Sequence, residues 1–412
     1  MSGPLRIALI GSSRFPIRQP FAGGLEAHVW HLARALARQG HNVSLYAAPG
    51  SEVGLDCASL TVRRLELSEA ARTDVSMPAA DFMSDHHAYL ALMLQLAGPD
   101  ADSFDVVHNH SLHYLPVAMA STLSTPMLTT VHTPPTPWLE SAIQACGGHG
   151  TRFAAVSEHT ATTWAAAGVP FTVVPNGIDA RGWPLAPGGD SVVWFGRLTP
   201  EKAPHLAIDA ARIAGRPITL AGPVSDRAYF ADQVEPRLGP GARYAGHLTH
   251  RGLARLVGAA AVALVTPVWD EPYGLVVAEA MSCGTPVVAF DRGGIPELLS
   301  AESGRLVPPD DVHALAAAIP EAARLARPVV RAHALRRCSA GAMVGAYLSL
   351  YRQMIAARSE SADDRLLHPP SWLRASGPGR QHQRAPAQAR HGSDVSICAP
   401  TTSVLRDRQP SP

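Results

Sequence analysis

Short apolar runs alternate with longer stretches of helical spacing through most of the chain. Ile7–Ile10 is unbroken and apolar, as a buried strand requires. A loop from Gly11 to Gly24, carrying Pro16, Pro20 and the Gly23-Gly24 pair, separates it from Leu25–Gln39. There Leu25, His28, Val29, Leu32 and Leu36 fall on one helical face, and Gly40 marks the stop. Val43–Ala47 reads as the next strand. Strand, helix and strand in this order predict a parallel α/β sheet. Phe104–Val107, Met127–His132, Phe153–Val156 and Thr172–Val174 extend it, whereas Ser51–Ala88 shows no assignable period.

Pro175, Asn176 and Gly177, followed by the Pro/Gly-rich run Gly182–Gly189, have the composition of a linker. A second α/β half follows. Its expected strands are Val192–Phe195, Ile218–Ala221, Val262–Val265 and Pro286–Ala289. Its expected helices are His205–Ala214, Gly252–Ala259, Gly274–Cys283 and Val312–Ile319, with Pro320 ending or kinking the last. An amphipathic stretch near Ala342–Ala357 predicts a final helix. From Ser359 to Pro412 the chain turns to Pro, Arg, Ser, Gln and Ala without a period, the composition of a disordered tail. A length of 412 residues suits two domains. The expected division is 1–178, 179–340, a closing helix over 341–358, and the tail 359–412.

Apolar residues make up 46% of the chain, and 35 Lys+Arg face 34 Asp+Glu. That balance speaks against nucleic acid as a partner and against strong attachment to anionic lipid. Five cysteines lie far apart, at Cys57, Cys146, Cys283, Cys338 and Cys398, with no metal-ligand spacing. A reduced, cytoplasmic setting is expected. Arg6–Ile10 is too short for a signal peptide, and Leu253–Val268, interrupted by Arg255, falls short of a transmembrane segment. Lys202 is the sole lysine. Where arginine supplies every other cation of this pair, a surviving lysine suggests a position needing a compact ammonium, although chance survival alone would look the same.

The densest chemical signal is Pro267–Leu298, PVWDEPYGLVVAEAMSCGTPVVAFDRGGIPEL. It reads as strand end, loop, helix, strand and glycine turn. Backbone N–H groups near Gly274, Leu275 and Val276 open the helix and are suited to phosphate oxygens. Glu279, inside the helix, is placed to accept hydrogen bonds from ribose hydroxyls, and Glu271, before it, from sugar hydroxyls. Two unrelated glutamates on a solvated helix would be the bland alternative. The flanking Pro272, Gly274 and Gly293-Gly294-Ile295-Pro296-Glu297 make it less attractive.

Glu271 and Glu279, with seven residues between them inside EPYGLVVAEAMSCGTPVVA, resemble the signature of glycosyltransferase family 4. Gly23-Gly24-Leu25-Glu26 resembles that family's glycine loop. FDVVHNH (Phe104–His110) and TTVHT (Thr129–Thr133) resemble two further motifs. VPNGID (Val174–Asp179) resembles its domain junction, and FGRLTPEKAPHLAIDA (Phe195–Ala210) its diphosphate-binding segment. The resemblance implies a GT-B fold: two Rossmann-like parallel-sheet domains facing across a cleft, the first for the acceptor and the second for the nucleotide sugar. It implies a retaining, metal-independent hexosyltransferase with no cofactor. Arg197 and Lys202 would neutralise the donor diphosphate, Glu279 would bind ribose, and Glu271 the transferred sugar. His132 would line the cleft by the reacting sugar, and Gly24 would let the first loop approach closely. The final helix would cross back onto the first domain. The donor is expected to carry UDP, with GDP and ADP open, and the acceptor is unidentified.

His108 and His110 alternate onto one strand face, with His113 following. A zinc site from these and His132 lacks local carboxylate or cysteine partners, so no metal is expected there. Asp100-Ala-Asp102 has the Asp-X-Asp form of a metal-binding motif but sits in a loop ahead of a strand and reads as a solvated turn. An NAD oxidoreductase needs a second glycine soon after Gly11, where Ser12-Ser13-Arg14-Phe15 stand instead. A GT-B phosphorylase and a catalytically silent nucleotide-sugar-binding protein remain as rivals, and a turnover assay separates them.

Overall fold

The computed structural model describes residues 3–52, 59–61, 67–74 and 80–367. The first half builds a seven-stranded sheet from β1 (Arg6–Ile10), β2 (Asn42–Ala47), β3 (Ser59–Thr61), β4 (Val106–Asn109), β5 (Met127–Val131), β6 (Thr151–Ala155) and β7 (Phe171–Val173). The second builds a six-stranded sheet from β8 (Val192–Phe195), β9 (Ile218–Ala221), β10 (Ala242–Tyr244), β11 (Val262–Val265), β12 (Val287–Phe290) and β13 (Gly304–Val307). The strand orders are β3-β2-β1-β4-β5-β6-β7 and β10-β9-β8-β11-β12-β13, and every pairing is parallel. Helices pack on both faces of such sheets, so β8, β9, β11 and β12 are buried throughout and read as unbroken apolar runs. This is the GT-B architecture: two Rossmann-like α/β domains.

In each sheet the order reverses beside its first strand, between β1 and β4 and between β8 and β11. Loops leaving the carboxyl ends there diverge and leave a crevice. The two crevices open onto one cleft of about 1300 Å³.

The end of the chain completes the first half's core. Helix Ala340–Leu367 places Met343, Val344, Tyr347, Leu348, Leu350, Tyr351 and Met354 among Ile7, Leu9, Val29, Leu32 and Leu128. It runs past the expected end at Arg358. The part of the expected tail from 368 onward lies outside the described residues.

The halves also meet beside the cleft. Glu297 accepts hydrogen bonds from the backbone N–H groups of Glu158 and His159 at 3.0 and 2.8 Å, and Ser157 donates to the Pro272 carbonyl at 2.5 Å. Arg38 pairs with Asp179 at 3.1 Å.

Several local expectations change. β4 is shifted toward His108 and Asn109, because these polar residues are wholly buried in the sheet. Helix Val312–Ala322 continues through Pro320 rather than stopping before it. A proline this close to a helix end deprives only one carbonyl of its donor. Helix Ala80–Ala97 begins inside the stretch left without a period.

Candidate active site

On the second half, the loop after β8 carries Gly196, Arg197 and the short turn Pro200–Lys202. Ala203 follows with φ +45°, an uncommon left-handed conformation for a side chain larger than glycine's. Helix Pro204–Ile213 starts there. The Thr266 hydroxyl at the end of β11 lies 3.1 and 3.0 Å from the Lys202 and Ala203 carbonyls and receives the Trp194 indole N–H at 3.1 Å. This network fixes the turn against the sheet.

The fixed turn presents its cations to the cleft. The Lys202 ammonium forms an ion pair with Glu271, both largely buried. Arg197 pairs with Glu201 at 3.2 Å and remains 41% exposed, free to swing onto a ligand. The indole of Trp269 completes the Lys202 setting: its N–H donates to Glu271 at 3.3 Å, and Lys202 Nζ lies 4.8 Å from its ring centroid. Trp269 was not singled out in the sequence, though it stands two residues before Glu271.

The Glu271 loop is held from behind by the glycine turn. Gly293 adopts φ +61°, and a Cβ there would sit 2.2–2.4 Å from the Glu271 backbone; the Gly294 N–H donates to the Glu271 carbonyl at 2.7 Å. The GGIPE sequence is thus a scaffold for Glu271. Gly274, at φ +97°, turns the chain into helix Leu275–Ser282, and its open first turn, with Leu275 and Val276, faces the cleft. Glu279 sits one turn deeper on the cleft wall, and burial pushes its carboxyl up to about 8.

On the first half, Gly24 begins helix Gly24–Arg38 and reaches across to this turn: a Cβ on it would lie 3.1 Å from Leu275 Cδ1. Glu26, two residues on, is 5% exposed in the same cleft. Burial raises its carboxyl above the ordinary range, and the Arg197 guanidinium opposes that rise. Glu26 is a site residue that the motif reading passed over, because it stood only as part of the glycine loop.

His132 lines the cleft at the end of β5 and shares a hydrogen bond with His110, Nε2 to Nδ1, at 3.0 Å. Burial lowers His132 to about 4, and His28, His108 and His110 well below their ordinary value. At neutral pH the group is therefore uncharged. The expected histidine set divides. His108 bonds Tyr351 at 2.6 Å and Thr130 at 2.7 Å, while His113 caps the helix starting at Tyr114. His28 joins His110 and His132 instead, and its ring nitrogens have no partner among the described residues. Asp100 and Asp102 lie in a turn, with Asp100 receiving Gln95 and the Asp102 carbonyl receiving Arg6, away from the cleft.

The nine residues given donor-site or sugar-site roles in the sequence thus line one cleft: Gly24 and His132 from the first half; Arg197, Lys202, Glu271, Gly274, Leu275, Val276 and Glu279 from the second. The model of Glycosyltransferase Family 4 matches residues 22–181, and that of glycosyl transferases group 1 matches 189–324. A glycogen synthase of Mycobacterium tuberculosis is 30% identical over 338 residues, covering 72% of this chain and 81% of that one. A D-inositol 3-phosphate glycosyltransferase of Acidothermus cellulolyticus is 28% identical over 433 residues, covering 88% and 93%. Among solved structures, a sucrose-phosphate synthase of Thermosynechococcus elongatus superposes with TM-score 0.71 at 22% identity, covering 86% of this chain and all of that one. The Anabaena protein HepE, solved with UDP and glucose, superposes with TM-score 0.65 at 19% identity, covering 84% and 99%. On the shared motifs, the matched models and these relatives, the chain belongs to the family 4 glycosyltransferases and acts in nucleotide-sugar glycosyl transfer.

Proposed function

We propose that this protein moves a hexosyl group from a UDP-sugar to its acceptor with retention of anomeric configuration and without a divalent metal. The observation that carries the reading is the meeting of Arg197, Lys202 and the open turn at Leu275 on one wall, with Glu279 beyond. Two cations and a helix N-terminus suit a diphosphate, and a deep carboxyl suits the ribose hydroxyls. UDP is favoured because HepE was solved with it, although the related starch synthase IV of Arabidopsis thaliana was solved with ADP.

As the sugar–oxygen bond breaks, charge gathers on the departing phosphate. Lys202, held in the cleft by Glu271, stabilises that charge with little reorganisation, and Arg197 swings from Glu201 to join it. Glu271, shared between Lys202 and Trp269, turns its free lone pairs to the sugar hydroxyls. The acceptor hydroxyl enters on the face the phosphate leaves, its proton passing to the departing phosphate. Neutral His132 holds the sugar as a hydrogen-bond partner without adding charge. The two glutamates bind rather than attack, so the mechanism is one of positioning and electrostatics.

The test screens UDP-, GDP- and ADP-sugars with excess chelator, reading thermal stabilisation and hydrolysis of the donor, with the anomeric product followed by NMR. Stabilisation and slow retaining hydrolysis are expected with a UDP-sugar. Activity that appears only on adding manganese would refute metal independence, and binding without any turnover would favour the silent binding protein.

A further inference from the structure

The first half's cleft wall carries a feature that the donor chemistry leaves unused. Helix Ala80–Ala97 places Phe82, His86 and Tyr89 along one face, and the turn after β4 adds His113 and Tyr114. Helix Pro137–Cys146, capped by Thr136, adds Trp138 in its first turn. The rings form a near-parallel column. Tyr89 to His113 is 4.4 Å with 18° between planes, His113 to Tyr114 4.6 Å and 24°, and Tyr114 to Trp138 5.4 Å and 23°. Phe82 leans on Trp138 at 5.6 Å and 36°.

The column is anchored at one end and open at the other. Tyr89 is 4% exposed, donates to the Gly11 carbonyl at 2.9 Å and accepts the Ser13 N–H at 3.0 Å. Trp138 is 56% exposed on the cleft. A large apolar ring left partly in water, rigidly supported from behind on a cleft wall, suits a ligand face. Polar groups border the rings. Asp85, held by Ser13 at 2.9 Å and Arg14 at 3.0 Å, stands on the same helix, and the Tyr114 hydroxyl is joined to His86 at 2.8 Å.

Flat apolar rings edged by hydrogen-bonding groups match the two characters of a pyranose: a C–H face and a rim of hydroxyls. They do not match an anion, since Arg14 is already neutralised by Asp85 and His113 is uncharged, burial having lowered it to about 4. A lipid chain would gain nothing from the polar border. We infer that the column ending in Trp138 is the acceptor platform, and that the acceptor is a neutral saccharide whose ring lies against that indole. The inference rests on the transferase reading above, since the platform shares its cleft with Arg197, Lys202 and Glu279.

Saturation-transfer NMR on the full chain with UDP present tests it, using maltohexaose, mannohexaose, chitohexaose and xylohexaose, with inositol phosphate and an alkyl glycoside as anionic and amphiphilic controls. At least one neutral hexasaccharide should bind saturably, with transfer strongest at ring protons of one face. Trp138→Ala should weaken it at least tenfold, Trp138→Tyr far less, and thermal stabilisation by UDP should be the same in all three proteins. No saccharide binding, equal binding in Trp138→Ala, or loss confined to inositol phosphate or the amphiphile would overturn the proposal. Loss of UDP stabilisation in the wild type would instead count against the donor reading, leaving saccharide binding as a separate readout.

Discussion

The two walls of the cleft are built from similar folds but different chemistry. The second half presents ion pairs and a buried acid: Arg197 with Glu201, Lys202 with Glu271, and the carboxyl of Glu279, which burial pushes up to about 8. The first half presents chiefly rings, His132 with His110 and the aromatic column from Tyr89 to Trp138, with the Arg14–Asp85 pair and the buried carboxyl of Glu26 beside them. Both walls stand at the carboxyl ends of parallel strands, so the topology makes a crevice twice without deciding what it holds. The charged wall is tied to its own sheet by Thr266 and the Gly293-Gly294 turn. The other wall belongs to a half whose core is closed by the last helix of the chain.

The largest effect should come from that last dependence. Ending the chain at Gly341 removes seven buried side chains from the first half's core. At about 1.5–3 kcal/mol each, the loss matches or exceeds the roughly 5–15 kcal/mol that holds a domain folded. Hydrogen exchange should show β1, β4 and β5 unprotected while β8, β11 and β12 stay protected. Uniform protection in the truncated chain would mean the two halves do not differ in this way.

Exchange of the sole lysine sharpens the contrast on the charged wall. Lys202→Arg keeps the charge but puts a wide planar fork where a compact ammonium fits between Glu271 and the Trp269 ring. Removing a charged hydrogen bond costs about 1.5–3 kcal/mol, so Lys202→Ala should lose roughly ten- to a hundredfold in kcat/KM. Lys202→Arg should fall nearer to the alanine variant than to wild type, while the exposed Arg212→Lys should be neutral. Wild-type turnover in Lys202→Arg would show that the lysine survives by chance.

A smaller effect is expected from Glu279. Its carboxyl titrates near 8 in the folded chain and near 4.3 unfolded. Between those values the folded state holds a proton that the unfolded state lacks. This contribution is therefore fully present below about pH 4 and declines as pH rises through 8. Glu279→Gln should flatten that decline and raise Tm at pH 8.5, while weakening nucleotide binding because the amide keeps only one of the carboxyl's two acceptor oxygens. An unchanged slope in the urea midpoint against pH would remove the buried carboxyl from the account.

The charged wall was legible because its residues stand in contiguous motifs that resemble the family's, each directly after an apolar strand run. Val192–Phe195 and Val262–Val265 appear in the sequence with the bounds they have in the fold, and Arg197, Lys202 and Glu271 follow within a few residues. On the other wall His132 was legible from its motif, but the aromatic column was not. Its rings come from three separate segments, and an aromatic residue at helical spacing looks the same whether it faces a core or a cleft. Buried polar residues misled in the same way, moving β4 toward His108 and Asn109. β10 and β13 were missed because short edge strands carry exposed residues such as Arg243 and Leu306. Helix Arg327–Arg337 was missed because it buries little beyond Val330, His333 and Ala334.

Isothermal calorimetry of nucleotide binding in excess chelator tests the central claim most directly. UDP, GDP and ADP would be titrated into the wild-type chain and into the Arg197→Ala/Lys202→Ala double variant, whose fold is checked by its thermal transition. The account predicts that UDP binds the wild type without metal, and that the double variant loses at least a hundredfold, with the corresponding nucleoside, which lacks phosphate, binding both proteins equally. Nucleotide binding that survives the double substitution, or that requires a restored divalent ion, would contradict the assignment of the diphosphate to Arg197 and Lys202.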